Sequence, residues 1–469
     1  MTIALTIERW MKRVSLVVLL LGLMACREPR VDRLVLVTID TLRADHLASF
    51  GHPLDPAPFI DGLAAQGLSF HRAYAQAAAT GPSHSSIFTS LYPIQHGVQA
   101  NGRILDESFT TLAEALSAAG YRTAAFVSTN AHFKWGGMDQ GFDVYDEQPA
   151  EPEGSGRARA KRYRRADDTV DVALAWLETV DPSEKLFVWL HLFDPHARLR
   201  PPLEHFEEIK RQAQQIQIAN LIPMLEPSHR KISLPGNRAR VLKYDAEIRF
   251  ADAELRRFFD VFSVGEAKDL WVITSDHGQG LGTHGIRGHA KHVYNDQLHV
   301  PLIFYSNTGE IPARVVDDVL VEHVDIAPTL ADWMGLDFDD QAAPTQGESL
   351  AGFLEGRSPK RKKRFSFAQS SRYRKPKRRE LRNYEPPKYA IQDLRYKFIL
   401  NSNVDNELFD LTEDPYEQRS LQGNPRLRAE QSELEERLAS WLEELSTGLE
   451  AESVAAEAIE RLKALGYLQ

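Results

Sequence analysis

Three runs of apolar, largely β-branched residues, each followed by an acid, constrain this chain more than any other feature. Leu34-Val-Leu-Val-Thr-Ile39 ends in Asp40, and Leu186-Phe-Val-Trp-Leu-His-Leu192 runs through Phe193 into Asp194. Leu270-Trp-Val-Ile-Thr274 is followed by Ser275, Asp276 and His277. A strand covered on both faces has no polar side to show, so it reads as a continuous apolar run. Such strands belong to parallel sheets, and open α/β sheets bind ligands outside the carboxyl ends of their strands. The runs therefore predict an α/β fold that gathers Asp40, Asp194 and Asp276 at one sheet edge. At 469 residues, 43% of them hydrophobic, the chain can bury one large core and a smaller one.

Between these runs the punctuation is regular. Pro58 to Gln66 predicts a helix with Phe59, Ile60 and Leu63 on one side and Gly67 as its stop. Thr111-Leu-Ala-Glu114 is a capping box opening a helix that Gly120 closes, and a strand is expected from Thr123 to Ser128. Asp167 to Val180 predicts an amphipathic helix, and Val241 to Phe262 a long one with Leu242, Ile248, Leu255 and Phe259 as core candidates. Arg198 to Asn237 carries prolines at 201, 202, 223, 227 and 235 and shows no clear period, so it reads as a substrate-side insertion. Alternating segments at 389–391 and 396–400, followed by 407–415, predict a small antiparallel sheet, with helices over 425–445 and 450–465. The expected division is a catalytic domain over 34–335 and a C-terminal α+β subdomain over 336–469, carrying a basic loop and the terminal helices.

The stretch from Ala79 to Gly97 supplies a different chemistry. Pro82 suits the first position of a helix, where its missing N–H is no loss. Thr80 then lies just before the helix, with its oxygen at the free N–H groups and the positive end of the dipole, a place that favours a tetrahedral oxyanion. Taken alone, Thr80 is as well explained as a plain N-cap. Acids and histidines at the three strand ends are what make a reaction centre the stronger reading.

These residues resemble the sulfatase family of the alkaline-phosphatase-like superfamily. Its signature is Cys or Ser, any residue, Pro, any residue and Arg, then a helix and a Leu-Tyr-Pro-x-x-His-Gly run. Here Thr80-Gly-Pro-Ser-His84 occupies the five positions and Leu91 to Gly97 completes the run. Thr80 replaces the residue that sulfatases oxidise to formylglycine, and His84 replaces the arginine. Asp40-Thr-Leu-Arg-Ala-Asp-His46 resembles the first metal loop, although two consecutive aspartates are usual there. Asp194-Pro-His196 resembles the family's Asp-Pro-His motif. Ser275 to His289, in a stretch with four histidines between 277 and 292 (277, 284, 289 and 292), resembles the Asp-His-Gly metal motif of two-metal members. Single-calcium sulfatases commonly have Asp-Asn there, and lysine where His289 stands. Asn130 and His132 are set against a Lys-Trp-His group. The resemblance covers roughly residues 34 to 420 in the family's motif order.

The resemblance implies an alkaline-phosphatase-like mixed sheet sandwiched by helices and a metal-dependent hydrolase of phosphate- or sulfate-type esters. Asp40, Thr80, Asp276 and His277 form the expected first metal site. His196 and His289, with Asp194, are expected to hold a second ion or clamp the substrate, His84 to donate a hydrogen bond, and Asn130 to face the substrate. Carboxylate plus imidazole suits zinc or manganese, one ion or two, better than calcium, which prefers an all-oxygen set. Threonine's extra methyl blocks oxidation to an aldehyde, so Thr80 itself is the expected nucleophile, phosphate esters are expected ahead of sulfate, and no maturation partner is needed. A phosphoryl-group transferase of the same superfamily and a non-catalytic, membrane-tethered binder of anionic glycans remain as alternatives.

The N-terminus adds a location. Lys12-Arg13 precedes an apolar run from Val14 to Leu23, too short to span a bilayer and typical of a signal peptide. Leu23-Met-Ala-Cys26 resembles a bacterial lipobox, which makes 1–25 the signal peptide, Cys26 the lipidation site and 26–33 a tether. The expectation is a bacterial envelope protein, periplasmic or at the cell surface, with Arg27 resembling outer-membrane sorting. Cys26 is the only cysteine, so no intramolecular disulfide forms. A net charge of −10 argues against nucleic acid as a partner. The basic runs at 157–165 and 357–382 read as solvated loops or docks for an anionic surface.

Overall fold

A computed structural model describes residues 30–129, 136–147, 163–196, 198–216, 237–338, 343–362, 364–371, 387–401 and 404–446. Cys26, Asn130, His132, the basic stretch over 372–386 and the helix expected over 450–465 lie outside the described residues. A nine-stranded sheet forms the centre, in the order β10-β2-β9-β6-β1-β5-β3-β4, with β11 beside β2. The strands are β1 (Arg33–Ile39), β2 (Leu68–Tyr74), β3 (Arg122–Val127), β4 (Val144–Asp146), β5 (Leu186–Leu192), β6 (Asp269–Thr274), β9 (His299–Ser306), β10 (Arg314–Val316) and β11 (Val321–Glu322), with β7 (Gly280–Leu281) and β8 (Arg287–Gly288) pairing apart as a small ribbon. β1 pairs in parallel with β5 and β6, and β9 pairs antiparallel with both β6 and β2, so the sheet is mixed.

The continuous apolar runs are buried on both faces, as their composition requires. Leu34 and Leu36 of β1 join Phe187, Trp189, Leu270 and Val272 in one core, while Val35, Val37 and Ile39 join Val188, Leu190, Trp271 and Ile273 in the other. Each such side chain, fully withdrawn from water, contributes roughly 1.5–3 kcal/mol. Register then does the functional work. Thr38 lies opposite His191 on one side and Thr274 on the other, so Asp40 emerges level with Asp276.

The helices that matter here are α1 (Pro58–Gln66), α2 (Thr80–Thr89), α3 (Leu112–Ala118), α4 (Ala166–Leu177), α5 (Leu203–Gln215), α6 (Asn237–Phe262) and α7 (Arg428–Ser446). The capping box of α3 forms as expected: Glu114 N–H donates to Thr111 Oγ1 at 3.1 Å and Thr111 N–H to Glu114 Oε2 at 2.8 Å. α1, α4, α5 and α6 cover one face of the sheet, and α2 lies against the other. α5 corrects the reading of 198–237 as a segment without period. Its apolar residues Phe206, Ile209 and Ala213 recur at helical spacing, Ile209 and Ala213 are buried, and prolines on both sides had masked the stripe. The C-terminal subdomain is an antiparallel sheet of Ser366–Gln369, Tyr389–Gln392, Tyr396–Leu400 and Glu407–Asp410. α7 packs on it through Leu434, Leu438 and Leu442. Among the described residues, no helix is long and apolar enough to cross a membrane.

Candidate active site

Six of the ten residues of the helix that starts at Thr80 are polar, yet nine of the ten are buried. Burial of that kind is tolerated only when each hydroxyl finds a partner. Ser83 Oγ donates to the Asp276 carbonyl at 2.5 Å, Thr89 Oγ1 to the Ser85 carbonyl at 2.7 Å, and Ser86 Oγ pairs with His96 Nε2 at 3.2 Å. Helix α2 begins two residues earlier than the sequence suggests. Ala79 is the N-cap and Thr80 the first helical residue. Pro82 therefore stands third, still within the first turn, where its missing N–H has no intrahelical acceptor to lose. Thr80 is 7% exposed, while Ser83, His84, Asp40 and Asp276 around it are fully buried.

Asp40, Asp276 and His277 converge, each offering a ligand atom within 4.8 Å of the others. Their hydrogen bonding shows that a cation fits. His277 Nδ1 donates to the Gly278 carbonyl at 2.9 Å, which leaves Nε2 as the lone-pair side, 3.4 Å from Asp276 Oδ2. Both oxygens of Asp40, Asp276 Oδ2 and His277 Nε2 are buried without a hydrogen-bond partner among the described residues. Acceptors facing one another in a dry site are the signature of a metal-ligand set. Burial, and then the charge of Asp276, raise the Asp40 carboxyl well above the usual range. Burial raises Asp276 as well, against the pull of His84 and the N–H groups of Thr41 and His277. Burial pushes the His277 ring down to about 3, which keeps it neutral and fit to ligate. Thr41, with φ at 62°, adopts a left-handed conformation uncommon for a β-branched residue and so points its N–H at Asp276 Oδ1, 3.1 Å away.

Beneath this group lies a hub that sequence reasoning missed. Thr38 Oγ1 accepts from Trp189 Nε1 at 3.0 Å and also meets His191 Nδ1 at 2.9 Å and His84 Nε2 at 3.0 Å. His84 Nδ1 donates to the Thr80 carbonyl at 2.8 Å, so its Nε2 must accept from the Thr38 hydroxyl. One hydroxyl thus sets both imidazoles: His191 donates through Nδ1 and turns Nε2 toward Asp40 Oδ2, 3.7 Å away. His84 is fully buried and faces Thr38 and Asp276. Through these bonds it anchors the first turn of α2. The available signal was the polar His191 and Thr38 inside otherwise apolar strands, facing the same side of the sheet.

The outer histidines stand in a row. The His277 and His289 rings are 4.4 Å apart, and His289 and His196 are 5.0 Å apart. His289 Nδ1 donates to Gln279 Oε1 at 2.8 Å, and His196 stacks on Phe193 at 4.2 Å. His284 and His292 instead turn away to stack on Tyr294. Asp194 also leaves the group. Its side chain, 2% exposed, turns to Arg165 at 3.7 Å and to the N–H of Ala166 at the start of α4. The loop after β5 thus directs His196 toward the metal group and turns Asp194 to the neighbouring helix.

Comparison with known proteins places this geometry. The sulfatase family profile matches residues 32–336, and a profile described as N-sulphoglucosamine sulphohydrolase, C-terminal, matches residues 282–444. An uncharacterized sulfatase of Escherichia coli, YidJ, is 24% identical over 437 residues, covering 84% of each chain. The crystal structure of a phosphonate monoester hydrolase of Agrobacterium radiobacter superposes with a TM-score of 0.71 at 21% identity, over 89% of this chain and 96% of that one. A structure in complex with its substrate, D-glucosamine-2-N,6-O-disulfate, superposes with a TM-score of 0.68 at 20% identity, over 91% of this chain and all of that one. With the mixed sheet, the strand-end acids and the Thr80 helix in the family's order, the chain belongs to the sulfatase family, as a hydrolase of sulfate- or phosphate-type esters.

Proposed function

We propose that the protein is a metal-dependent phosphomonoesterase or phosphonate monoesterase in which Thr80 Oγ1 is the nucleophile. The observation that carries this reading is a threonine at the first position of α2, where the family has a residue that becomes formylglycine. Asp40, Asp276 and His277 would hold a zinc or manganese ion, with His191 behind Asp40. Bound there, such an ion supplies Lewis-acid stabilisation of an alkoxide and of the charge on the departing ester. The chain's own residues do the rest. His84 and Ser83 tie the first turn of α2 to Asp276, which fixes the position of Thr80 relative to the carboxylates. His289, neutral and with Nδ1 committed to Gln279, keeps its Nε2 lone pair for a proton exchanged with the ester oxygens. His196, stacked on Phe193 beside it, binds the same oxygens.

Attack by Thr80 Oγ1 on phosphorus breaks the P–O bond to the leaving alcohol and leaves a phosphothreonine that water hydrolyses. A sulfate ester on threonine has no comparably easy release at sulfur, and an aldehyde cannot form because the carbon already bears a methyl. The test is a panel of sulfate, phosphate and phosphonate monoesters and phosphodiesters, assayed with zinc and with manganese. Phosphorus esters should be cleaved ahead of sulfate, and Thr80→Ala should lower kcat by roughly three orders of magnitude or more while metal stays bound. Near-wild-type turnover in Thr80→Ala, or a wild type that cleaves only sulfate esters, would overturn the assignment. The reading includes attachment to a bacterial envelope through acylated Cys26. Cys26→Ser should then move the protein from the membrane fraction to the soluble one, and unchanged fractionation would refute the anchor.

A further inference from the structure

The loop that follows Asp40 carries a second group of potential ligands, distinct from the active site. His46 and His52 lie on that loop and Asp245 on α6, about two hundred positions later. One ligand atom from each of the three lies within 4.8 Å of the others, and their exposures are 2%, 6% and 0%. His46 Nδ1 is 2.6 Å from Asp245 Oδ1, and His52 Nε2 is 3.4 Å from Asp245 Oδ2. The rings of His46 and His52 stand 4.8 Å apart at 30°, with Tyr244 edge-on to His46.

The hydrogen bonds show what this group lacks. His52 Nδ1 donates to the Asp45 carbonyl at 3.1 Å, and in the tautomer that this bond selects the lone pair lies on Nε2. That lone pair faces the carboxylate oxygen Asp245 Oδ2. Neither atom meets a hydrogen-bond partner within normal geometry among the described residues. An ion bonded to both atoms at about 2.0–2.2 Å is compatible with their 3.4 Å separation. The same pattern occurs at the active site: an imidazole spends Nδ1 on a backbone carbonyl and turns Nε2 to a buried, unpartnered carboxylate oxygen 3.4 Å away.

The geometry points to a second, structural metal site of His46, His52 and Asp245 that takes a borderline divalent ion of the zinc class. Two imidazoles and one carboxylate suit zinc better than calcium or magnesium, which take oxygen ligands. Binding would exchange the His46–Asp245 hydrogen bond for a bond from His46 Nδ1 to the ion, and His52 keeps its carbonyl partner as the outer support. Its mechanical effect follows from its position. Tyr244, next to Asp245, donates to the Thr41 carbonyl at 2.5 Å and accepts from Arg43 N–H at 3.0 Å. An ion here would therefore fasten the loop bearing Asp40 and Thr41 to α6.

The test is metal content, with no dependence on turnover. Protein dialysed against a weak chelator is measured for zinc per chain as the Asp276→Ala/His277→Ala double variant and as the triple variant adding His52→Ala. The double variant should retain about one zinc per chain and the triple almost none, with unchanged far-UV circular dichroism. Crystals of the unaltered protein grown with zinc provide a measurement that no folding defect can confuse. An anomalous difference peak at the zinc edge should lie within bonding distance of His46, His52 and Asp245. A double variant that retains no zinc, equal zinc in double and triple variants, or an anomalous map without a peak there would overturn the proposal.

Discussion

Replacing Thr38 by valine removes one oxygen and leaves the shape of the side chain almost unchanged, which isolates the hub beneath the active site. Three buried hydrogen bonds meet at that oxygen, which accepts from Trp189 and His191 and donates to His84, at 2.9–3.0 Å. Each contributes a net of about 1 kcal/mol, and a donor left facing a methyl costs about 1–3 kcal/mol. Burying an extra methyl returns about 0.8 kcal/mol. The expected loss is therefore roughly 2–4 kcal/mol, a large part of the 5–15 kcal/mol typical of a folded protein. Thr38→Ser keeps the hydroxyl and loses only a methyl, at about 1 kcal/mol. Urea unfolding of the three proteins, followed by tryptophan fluorescence and by circular dichroism, measures the differences. The valine variant should also bind metal more weakly, because the Thr38 hydroxyl no longer helps to hold the His191 ring that turns Nε2 toward Asp40. If the valine and serine variants unfold within about 0.5 kcal/mol of each other, the hub is not a cooperative unit and the tautomer argument fails.

Other consequences can be measured in the same way. Burial raises the Glu247 carboxyl from 4.5 to about 7 in spite of Arg165, so the folded chain holds a proton there that the unfolded chain has released. Stability should then fall as pH rises from about 4.5 to 7, and Glu247→Gln should flatten that decline in urea midpoints; an unchanged slope would refute it. Lys397 and Glu417 form a buried pair at 2.7 Å that links the C-terminal sheet to the loop at Asn295. Lys397→Met should cost about 3–5 kcal/mol by stranding Glu417, and adding Glu417→Gln should recover much of it. Zinc or manganese at a hundred times its dissociation constant should stabilise the wild type by about 2.7 kcal/mol, with a smaller gain in Asp276→Ala; equal gains would remove Asp276 from the ligand set.

Much of the site was legible from the order of residues. An apolar run with no polar side can only be an interior strand, and an acid at its carboxyl end must emerge at one rim of the sheet. Asp40 and Asp276 follow from that rule, the parallel register that sets Thr38 opposite Thr274 brings them level, and His277 came with the family motif. The long helix over 241–262 and the capping box at Thr111 were legible for the same reason, because their signals lie within a few residues. α5 was less so, since its apolar stripe is short and its flanking prolines suggest a loop.

Direction and partnership were decided only in the folded chain. Asp194 leaves a strand end as Asp40 does, yet the next helix presents the N–H of Ala166 and Arg165 beside it, and the carboxyl turns there. His84 occupies the place of an arginine in the family signature, but its task depends on Thr38 and His191, which belong to different strands. His46, His52 and Asp245 become a group only because α6 crosses the loop after β1. Local sequence determines which backbone hydrogen bonds a segment can satisfy within itself, and so its helices, strands and caps. Whether a buried polar atom finds a proton donor, a carbonyl or a metal ion depends on side chains that packing brings from far along the chain.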